Sequence, residues 1–336
     1  MLVLEPVVDA RLNVIYVTQT FTRWHGGVAR EDYADTWLEQ TGPLTGDEVG
    51  AVEVLGAAFC AEEGGGCDLI RALVRADPAI DASVRRAADA LAPRAARIAE
   101  AAEPALRYWE QRLRGPFPVW FDCVRRGMDR FFGAEGPHPL RVYLLPSAPG
   151  NVSGNGDMFV EAGATNLDCS GAPPQSSAVL EIALHEAVHS IYQPRFVAPL
   201  VEAVLSAPYG RAVEGLRRRS PMPIDLPSYV GELVAYSLDP GGALGERCGA
   251  GSNSEHWRSM LERGRRILTD PTFTGFTHDA WTGLGAAQMV PLVAAYLDQG
   301  RTADTELIRQ AFGIFEATYH AWAAAQALNA PERIGR

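Results

Sequence analysis

The residues best able to do chemistry in this chain stand in one short run. His185 and His189 are four residues apart, and Glu186 directly follows the first of them. On an α-helix, residues four apart share one face, with their Cβ atoms about 5–6 Å apart. Two imidazoles at that spacing can hold one Zn²⁺ at about 2.0–2.1 Å each, and the carboxylate can accept a proton from a water that the metal activates. The pattern therefore predicts a zinc-dependent hydrolase.

The sequence around this run favours the helix that the chemistry requires. Residues 177–192 contain neither Gly nor Pro and carry a broad apolar surface, which is typical of a buried helix. Pro194 follows two residues later and is expected to end the helix. The alternative interpretation is an ordinary amphipathic helix that happens to carry two histidines and a glutamate.

The wider motif resembles that of the zincin metallopeptidases. The spacers Ala187 and Val188 are uncharged, and the flanking residues are uncharged or apolar, as in the longer zincin consensus. A metzincin would place Gly three residues after the second histidine and His three residues beyond that. Tyr192 and Arg195 occupy those positions, which excludes that subclass. The resemblance covers about residues 139–238 and implies the gluzincin arrangement, in which a glutamate on a downstream helix is the third zinc ligand.

Glu232 fits the position of that third ligand. It lies in residues 228–238, a predicted helix that follows Pro227 and ends before Pro240, and its neighbours are apolar. The alternative is an exposed helical carboxylate without a metal. Glu202 is the runner-up as third ligand because it also stands among apolar residues. The remaining rivals are Glu214 and Asp225.

The sequence does not decide which residues would orient the metal ligands. Several gluzincin families carry an aspartate four residues after the ligand glutamate, where it orients the first histidine. Tyr236 stands at that position, and Glu181, one turn before the first histidine, is a possible substitute. Tyr229 or Tyr236 could donate to a developing oxyanion, although packed rings are the alternative. Cys169 could in principle bind zinc, but its surroundings favour a buried thiol.

The segment before the motif predicts a small sheet. Residues 139–146 are typical of a strand, residues 147–156 are rich in turn residues, and residues 157–162 predict a second short strand. Strand, loop, strand and motif helix follow one another in this order in zincin-like folds. By resemblance, residues 158–161 could form the sheet edge that pairs with an extended substrate. An ordinary sheet strand is the alternative.

The remaining chain predicts mostly helices. Residues 12–21 predict a strand because they are rich in β-branched and aromatic residues. Thr45 and Glu48 form a capping-box pattern that opens a helix to about Ala61. Apolar residues at helical spacing predict further helices. Pro93 is expected to interrupt the first of them. These helices span residues 81–101, 104–113, 255–268, 286–297 and 302–328.

These patterns predict an α+β fold that is predominantly helical, with a zincin-like core whose small sheet packs beside the HExxH helix. Three regions are expected in chain order. Residues 1–135 hold one strand and then Ala/Arg-rich helices, and residues 136–245 form the metal-binding core. Residues 246–336 form a helical lobe, which by resemblance closes one wall of the active-site cleft.

Composition excludes several other classes of function. The chain has 336 residues, and all 30 of its basic residues are arginine. Without lysine there can be no Schiff-base mechanism and no phosphate-binding loop that ends in G-K-[ST]. The formal net charge of −11 argues against unspecific binding to nucleic acid.

The cellular compartment of the protein is predicted from patterns that the sequence lacks. The N-terminus has no basic segment followed by an apolar core, and no run of 18 uninterrupted apolar residues exists. The five cysteines are odd in number and widely spaced, without a C-x-x-C pair. We therefore expect no disulfide framework, no membrane association and a cytoplasmic location, although a trimmed leader would leave the same sequence.

Together the sequence predicts a soluble zinc metallopeptidase that acts on a peptide or protein substrate. His185, His189 and Glu232 would bind Zn²⁺, and Glu186 would act as general base. One alternative is a zincin-like binding scaffold whose metal is structural or absent. Another is a metal hydrolase of non-peptide amides. Glu186 favours catalysis, because a purely structural site has no need of a carboxylate beside its ligand.

Overall fold

Helices dominate the computed structural model of this chain. It describes residues 1–24, 31–61, 66–147, 152–156, 163–169, 176–222, 224–239, 241–250, 254–269 and 279–329. In those residues the chain forms many helices and one four-stranded sheet, which confirms the predominantly helical prediction with a small sheet. None of the described helices is both long and apolar enough to cross a bilayer.

The chain folds into two units. The sheet unit comprises residues 3–117 and 139–190, and the helical unit comprises residues 1–2, 118–138 and 191–336. Each unit is assembled from separate segments of the chain. The division into three consecutive regions stays a prediction.

The sheet unit contains four strands: β1 (Leu2–Val7), β2 (His138–Pro146), β3 (Val152–Gly156) and β4 (Ala164–Cys169). Their order in the sheet is β1-β2-β4-β3. β4 pairs in parallel with β2 and antiparallel with β3. β2 confirms the predicted strand, whereas β3 lies within residues predicted as loop and β4 was not predicted. The predicted strand 157–162 and the substrate edge 158–161 lie outside the described residues.

The helices of the sheet unit include α1 (Ala10–Phe21), α2 (Glu31–Thr41), α3 (Gly46–Ala61), α4 (Gly66–Arg75) and α5 (Ala82–Leu113). The capping box is confirmed at α3. The Thr45 N–H donates to Glu48 Oε2 at 2.8 Å, and the Glu48 N–H donates to Thr45 Oγ1 at 3.3 Å. The interruption expected in α5 is wrong, because one helix runs through both Pro93 and Pro104.

The strand predicted for residues 12–21 is also wrong, because these residues form most of α1. Asp9 caps this helix by accepting a hydrogen bond from the Leu12 N–H at 2.9 Å. Nearly every side chain of α1 is buried, including the polar Asn13 and Gln19. When a segment is buried all round, its apolar residues show neither strand nor helix periodicity. The β-branched content then misleads, because tertiary burial overrides local propensity.

One buried ion pair joins α3 to α5. The Arg94 guanidinium is 5% exposed and donates to both carboxylate oxygens of Glu48 at 2.8 Å. It also donates to the backbone oxygens of Thr41, Gly42 and Pro43. Each of the three guanidinium nitrogens therefore donates to an acceptor in the chain itself.

The motif helix is longer than the sequence predicts. α7 (Ser176–Ala187) continues as a π-helical segment (Val188–Val197) and then as α8 (Ala198–Ser206). The expected end at Pro194 is wrong. Proline has no N–H for the carbonyl four residues back, and its ring clashes with that carbonyl in an α-helix. In a π-helix that carbonyl accepts from the N–H five residues on, so the wider turn accommodates the proline.

The other helices belong to the helical unit: α6 (Val119–Phe132), α9 (Pro208–Arg217), α10 (Leu226–Leu238), α11 (Ala243–Cys248), α12 (Ser254–Thr269), α13 (Leu284–Asp298) and α14 (Thr305–Asn329). α10 confirms the helix predicted for residues 228–238. Asp225 begins it by accepting from the Ser228 N–H at 2.7 Å. The three helices predicted after it are confirmed as α12, α13 and α14.

A disulfide between Cys123 and Cys248 joins α6 to α11, with the two Cα atoms 5.5 Å apart. The sequence predicts no disulfide framework, and this single bond was not foreseen. The partners are 125 residues apart, so their spacing carried no signal. Disulfides persist chiefly in oxidising compartments. The cytoplasmic location stays a prediction, and this bond stands against it.

Candidate metal centre

The two histidines of the motif face each other. Their Nε2 atoms are 3.1 Å apart, and their ring centroids are 4.8 Å apart at an interplanar angle of 65°. Two nitrogen ligands of one tetrahedral zinc ion lie about 3.3 Å apart when each bond is about 2.0–2.1 Å. The pair formed by His185 and His189 therefore has nearly the spacing that a shared ion requires.

Glu232 on α10 joins this pair. His185, His189 and Glu232 each offer one ligand atom, and these atoms all lie within 4.8 Å of one another. All three side chains are half-buried. Two imidazole nitrogens and one carboxylate oxygen form the donor set of many catalytic zinc sites, which leave a fourth position for water or substrate. In the part of the chain that the structure describes, no other group of three or more such residues converges.

The rival ligands do not join the cluster. Glu202 is exposed on α8, and Glu214 forms an ion pair with Arg218 at 3.1 Å. Asp225 is engaged as the cap of α10. Cys169 is buried in β4, where burial raises the pKa of its thiol well above the ordinary value. The structure thus brings together the three residues named from the sequence, and their role as metal ligands stays a prediction.

Glu186 is buried next to the first histidine. Its side chain is 6% exposed, although glutamate is rarely buried in proteins. Removing a carboxylate from water is unfavourable unless the site compensates for it. The structure therefore places this carboxylate in the protein interior, beside the histidine with which the sequence pairs it.

The sheet positions the histidine helix. α7 packs against β3 and β4 within the sheet unit. At the end of the motif, Ser190 Oγ donates to the Ala164 carbonyl at 3.2 Å. This bond ties the end of the motif to the first residue of β4.

Tyr192 anchors the π-helical segment to α6. Its hydroxyl donates to Asp129 Oδ1 on α6 at 2.8 Å, and its ring stacks on Phe132 at a centroid distance of 4.7 Å. Burial, with the Asp129 carboxylate beside it, raises the pKa of the Tyr192 hydroxyl. No sequence signal pointed to this anchor, because Asp129 is distant along the chain.

The sequence also suggested residues that could support the metal ligands or the reaction, namely Tyr229, Tyr236 and Glu181. Tyr229 is fully buried, with its ring edge-on to Phe315 at 5.7 Å. Its hydroxyl lies against Gly285 and has no hydrogen-bond partner in the described residues. Tyr229 is therefore a packed ring, and its suggested donation to an oxyanion stays a prediction. Tyr236 and Glu181 are half-buried, and their suggested roles stay predictions.

Comparison with known proteins adds no relative: no family model, no curated protein and no solved structure matches this chain. The resemblance to zincins therefore rests on the motif residues themselves and on the cluster that they form.

Proposed function

We propose that this protein is a zinc-dependent hydrolase, and specifically a metallopeptidase. The observation that carries the proposal is the convergence of His185, His189 and Glu232, whose ligand atoms lie within 4.8 Å of one another. Glu186, buried at the start of the same motif, supplies the group that hydrolysis needs beyond the metal ligands.

The donor set fits zinc better than it fits the harder cations. Calcium and magnesium take six or more oxygen ligands, whereas this cluster offers two imidazole nitrogens and one carboxylate oxygen. A zinc ion held there would polarise a carbonyl oxygen and lower the pKa of a water to about 7.

Each residue then has a defined task. His185 and His189 would hold the ion through Nε2, the atoms that face each other across 3.1 Å. Glu232 would hold it through a carboxylate oxygen. A Glu186 carboxylate oxygen accepts a proton from the attacking water and passes that proton to the nitrogen of the leaving amine. Burial of Glu186 keeps bulk water away from this proton transfer.

Two measurements test the proposal. Zinc analysis of purified protein should give about one zinc per chain. Glu186→Gln should retain that zinc and lower turnover of a quenched-fluorescent peptide library at least about 100-fold, because the base is lost and the shape is kept. Glu202→Gln, on an exposed carboxylate of α8, is the control and should leave both unchanged.

Each alternative predicts a different result. Protein without zinc, or unchanged turnover in Glu186→Gln, would contradict the proposed mechanism. Zinc without turnover of any peptide would favour the binding scaffold. Turnover of simple amides alone would move the substrate class to non-peptide amides.

A further inference from the structure

The side chain of Gln193 rests on the backbone of α10. Its Cδ, Nε2 and Oε1 atoms all approach Gly231 so closely that a Cβ at this glycine would overlap them. Gly231 is buried and Gln193 is half-buried. The whole carboxamide group, rather than one atom of it, therefore occupies the space that any other residue at position 231 would fill.

A glycine at this place in α10 needs an explanation. Glycine within a helix is less favourable than alanine, because it loses more conformational freedom on folding. Gly231 lies inside the helix Leu226–Leu238, away from its ends. The reason visible in the structure is space for the Gln193 carboxamide.

The contact joins the two segments that carry the proposed zinc ligands. Gly231 directly precedes Glu232, and consecutive Cα atoms are about 3.8 Å apart. Gln193 follows His189 by four residues in the π-helical segment. The carboxamide thus lies beside the backbone from which Glu232 projects and is fixed to the helix that carries His189.

From this placement we infer that Gln193 is a positioning residue for the metal ligand Glu232, an inference that rests on the proposed function. A carboxamide offers two N–H donors and one acceptor, so it can hold a carboxylate in place without adding charge to the site. Carboxylates that bind metals are themselves held by hydrogen-bond partners, and loss of such a partner weakens metal affinity about 10–100-fold.

Two substitutions remove this group by different routes. Gln193→Ala deletes the carboxamide. Gly231→Ala keeps the carboxamide but displaces it from its contact with the backbone of α10. Each should weaken zinc affinity about 10–100-fold in competition with a chromogenic chelator. The double variant should lose no more than the single variants, because both remove the same contact.

Thermal unfolding of the zinc-free variants separates positioning from folding. Gly231→Ala should be at least as stable as the parent, because alanine favours the helix and the displaced group is the flexible end of a side chain. Gly313→Ala is the matched control. That glycine also lies inside a helix, α14, but has room for a Cβ, with Tyr209 Oη as the nearest atom at 3.8 Å. It should leave zinc affinity unchanged.

The outcomes distinguish this inference from the proposed function. If Glu232→Ala weakens zinc binding while Gln193→Ala and Gly231→Ala do not, the positioning role is overturned and the zinc site stands. If Glu232→Ala has no effect either, the proposed function itself fails. Losses that add in the double variant would also overturn the inference, because they would show that the two residues act separately.

Discussion

Two regions of this molecule gather polar and charged side chains, and they do so in opposite ways. Around Arg94 a hydrogen-bond donor is surrounded by acceptors: the guanidinium donates to the Glu48 carboxylate and to three backbone carbonyls. Around His185 it sets like groups together, since two imidazole nitrogens and the Glu232 carboxylate are all electron-pair donors within 4.8 Å.

The difference separates a structural ion pair from the proposed metal site. A buried pair of opposite charges is satisfied by the protein alone and is strongly destabilised when one partner is removed. A cluster of electron-pair donors is the arrangement that binds a cation. Substitutions in the first region should therefore change stability, and substitutions in the second should change metal binding.

The largest effect should come from Glu232→Ala. Zinc binding in proteins supplies about 10–16 kcal/mol in total, so loss of one of three ligands should cost about 4 kcal/mol. That corresponds to roughly a thousandfold rise in the zinc dissociation constant. Chelator competition measures the constant, with Glu202→Ala as the exposed control. An unchanged constant would remove Glu232 from the site, and with it the convergence that carries the proposed function.

Next in size should be Arg94→Met, which leaves the Glu48 carboxylate without its partner. We expect the free energy of unfolding in urea to fall by about 3 kcal/mol, with zinc affinity unchanged. Arg107→Met on the same helix α5 is the control, because Arg107 forms exposed ion pairs with Glu103 and Glu110. It should cost less than about 1 kcal/mol. Equal effects of the two variants would contradict the role given to Arg94.

The pH dependence of the free energy of unfolding should be of similar size. The hydrogen bonds from Arg94 lower the pKa of Glu48 from 4.5 to about 2. A lowered carboxyl pKa contributes stability that is fully present above pH 4.5 and is lost as the pH falls towards about 2. We expect acid titration of the parent to lose roughly 3 kcal/mol over this window from Glu48. Arg94→Met should lack that contribution, and an identical acid profile would contradict the assignment.

The smallest effect should come from Tyr192→Phe, which removes the hydrogen bond to Asp129 but keeps the stacked ring. We expect a loss of about 1–2 kcal/mol in the free energy of unfolding. Zinc affinity should change by less than about tenfold, because Tyr192 anchors the helix and is not a ligand. Complete loss of zinc in this variant would place Tyr192 within the metal site instead.

The proposed site was accessible from the sequence because its geometry is mostly local. Histidines four residues apart share a helix face whatever the rest of the fold does. Glu232 was found through its apolar neighbours and the resemblance to gluzincins, since a carboxylate in a buried stretch needs a reason. Gln193 was missed, although its place one turn after His189 was a signal that could have been used.

The errors arose where tertiary packing decided the outcome. α1 contains the β-branched residues of a strand, but an Asp9 cap and burial on all sides made it a helix. Pro93 and Pro194 were expected to interrupt helices, and neither did. The disulfide partners lie too far apart in sequence for their spacing to reveal them.

The disulfide has a consequence for the integrity of the chain. Cys123 and Cys248 enclose His185, Glu186, His189 and Glu232 within one covalent loop. A single cut in the backbone inside that loop would leave both fragments tethered by the disulfide. Such a nicked chain would migrate as one species in non-reducing gel electrophoresis and separate into two bands only after the disulfide is reduced.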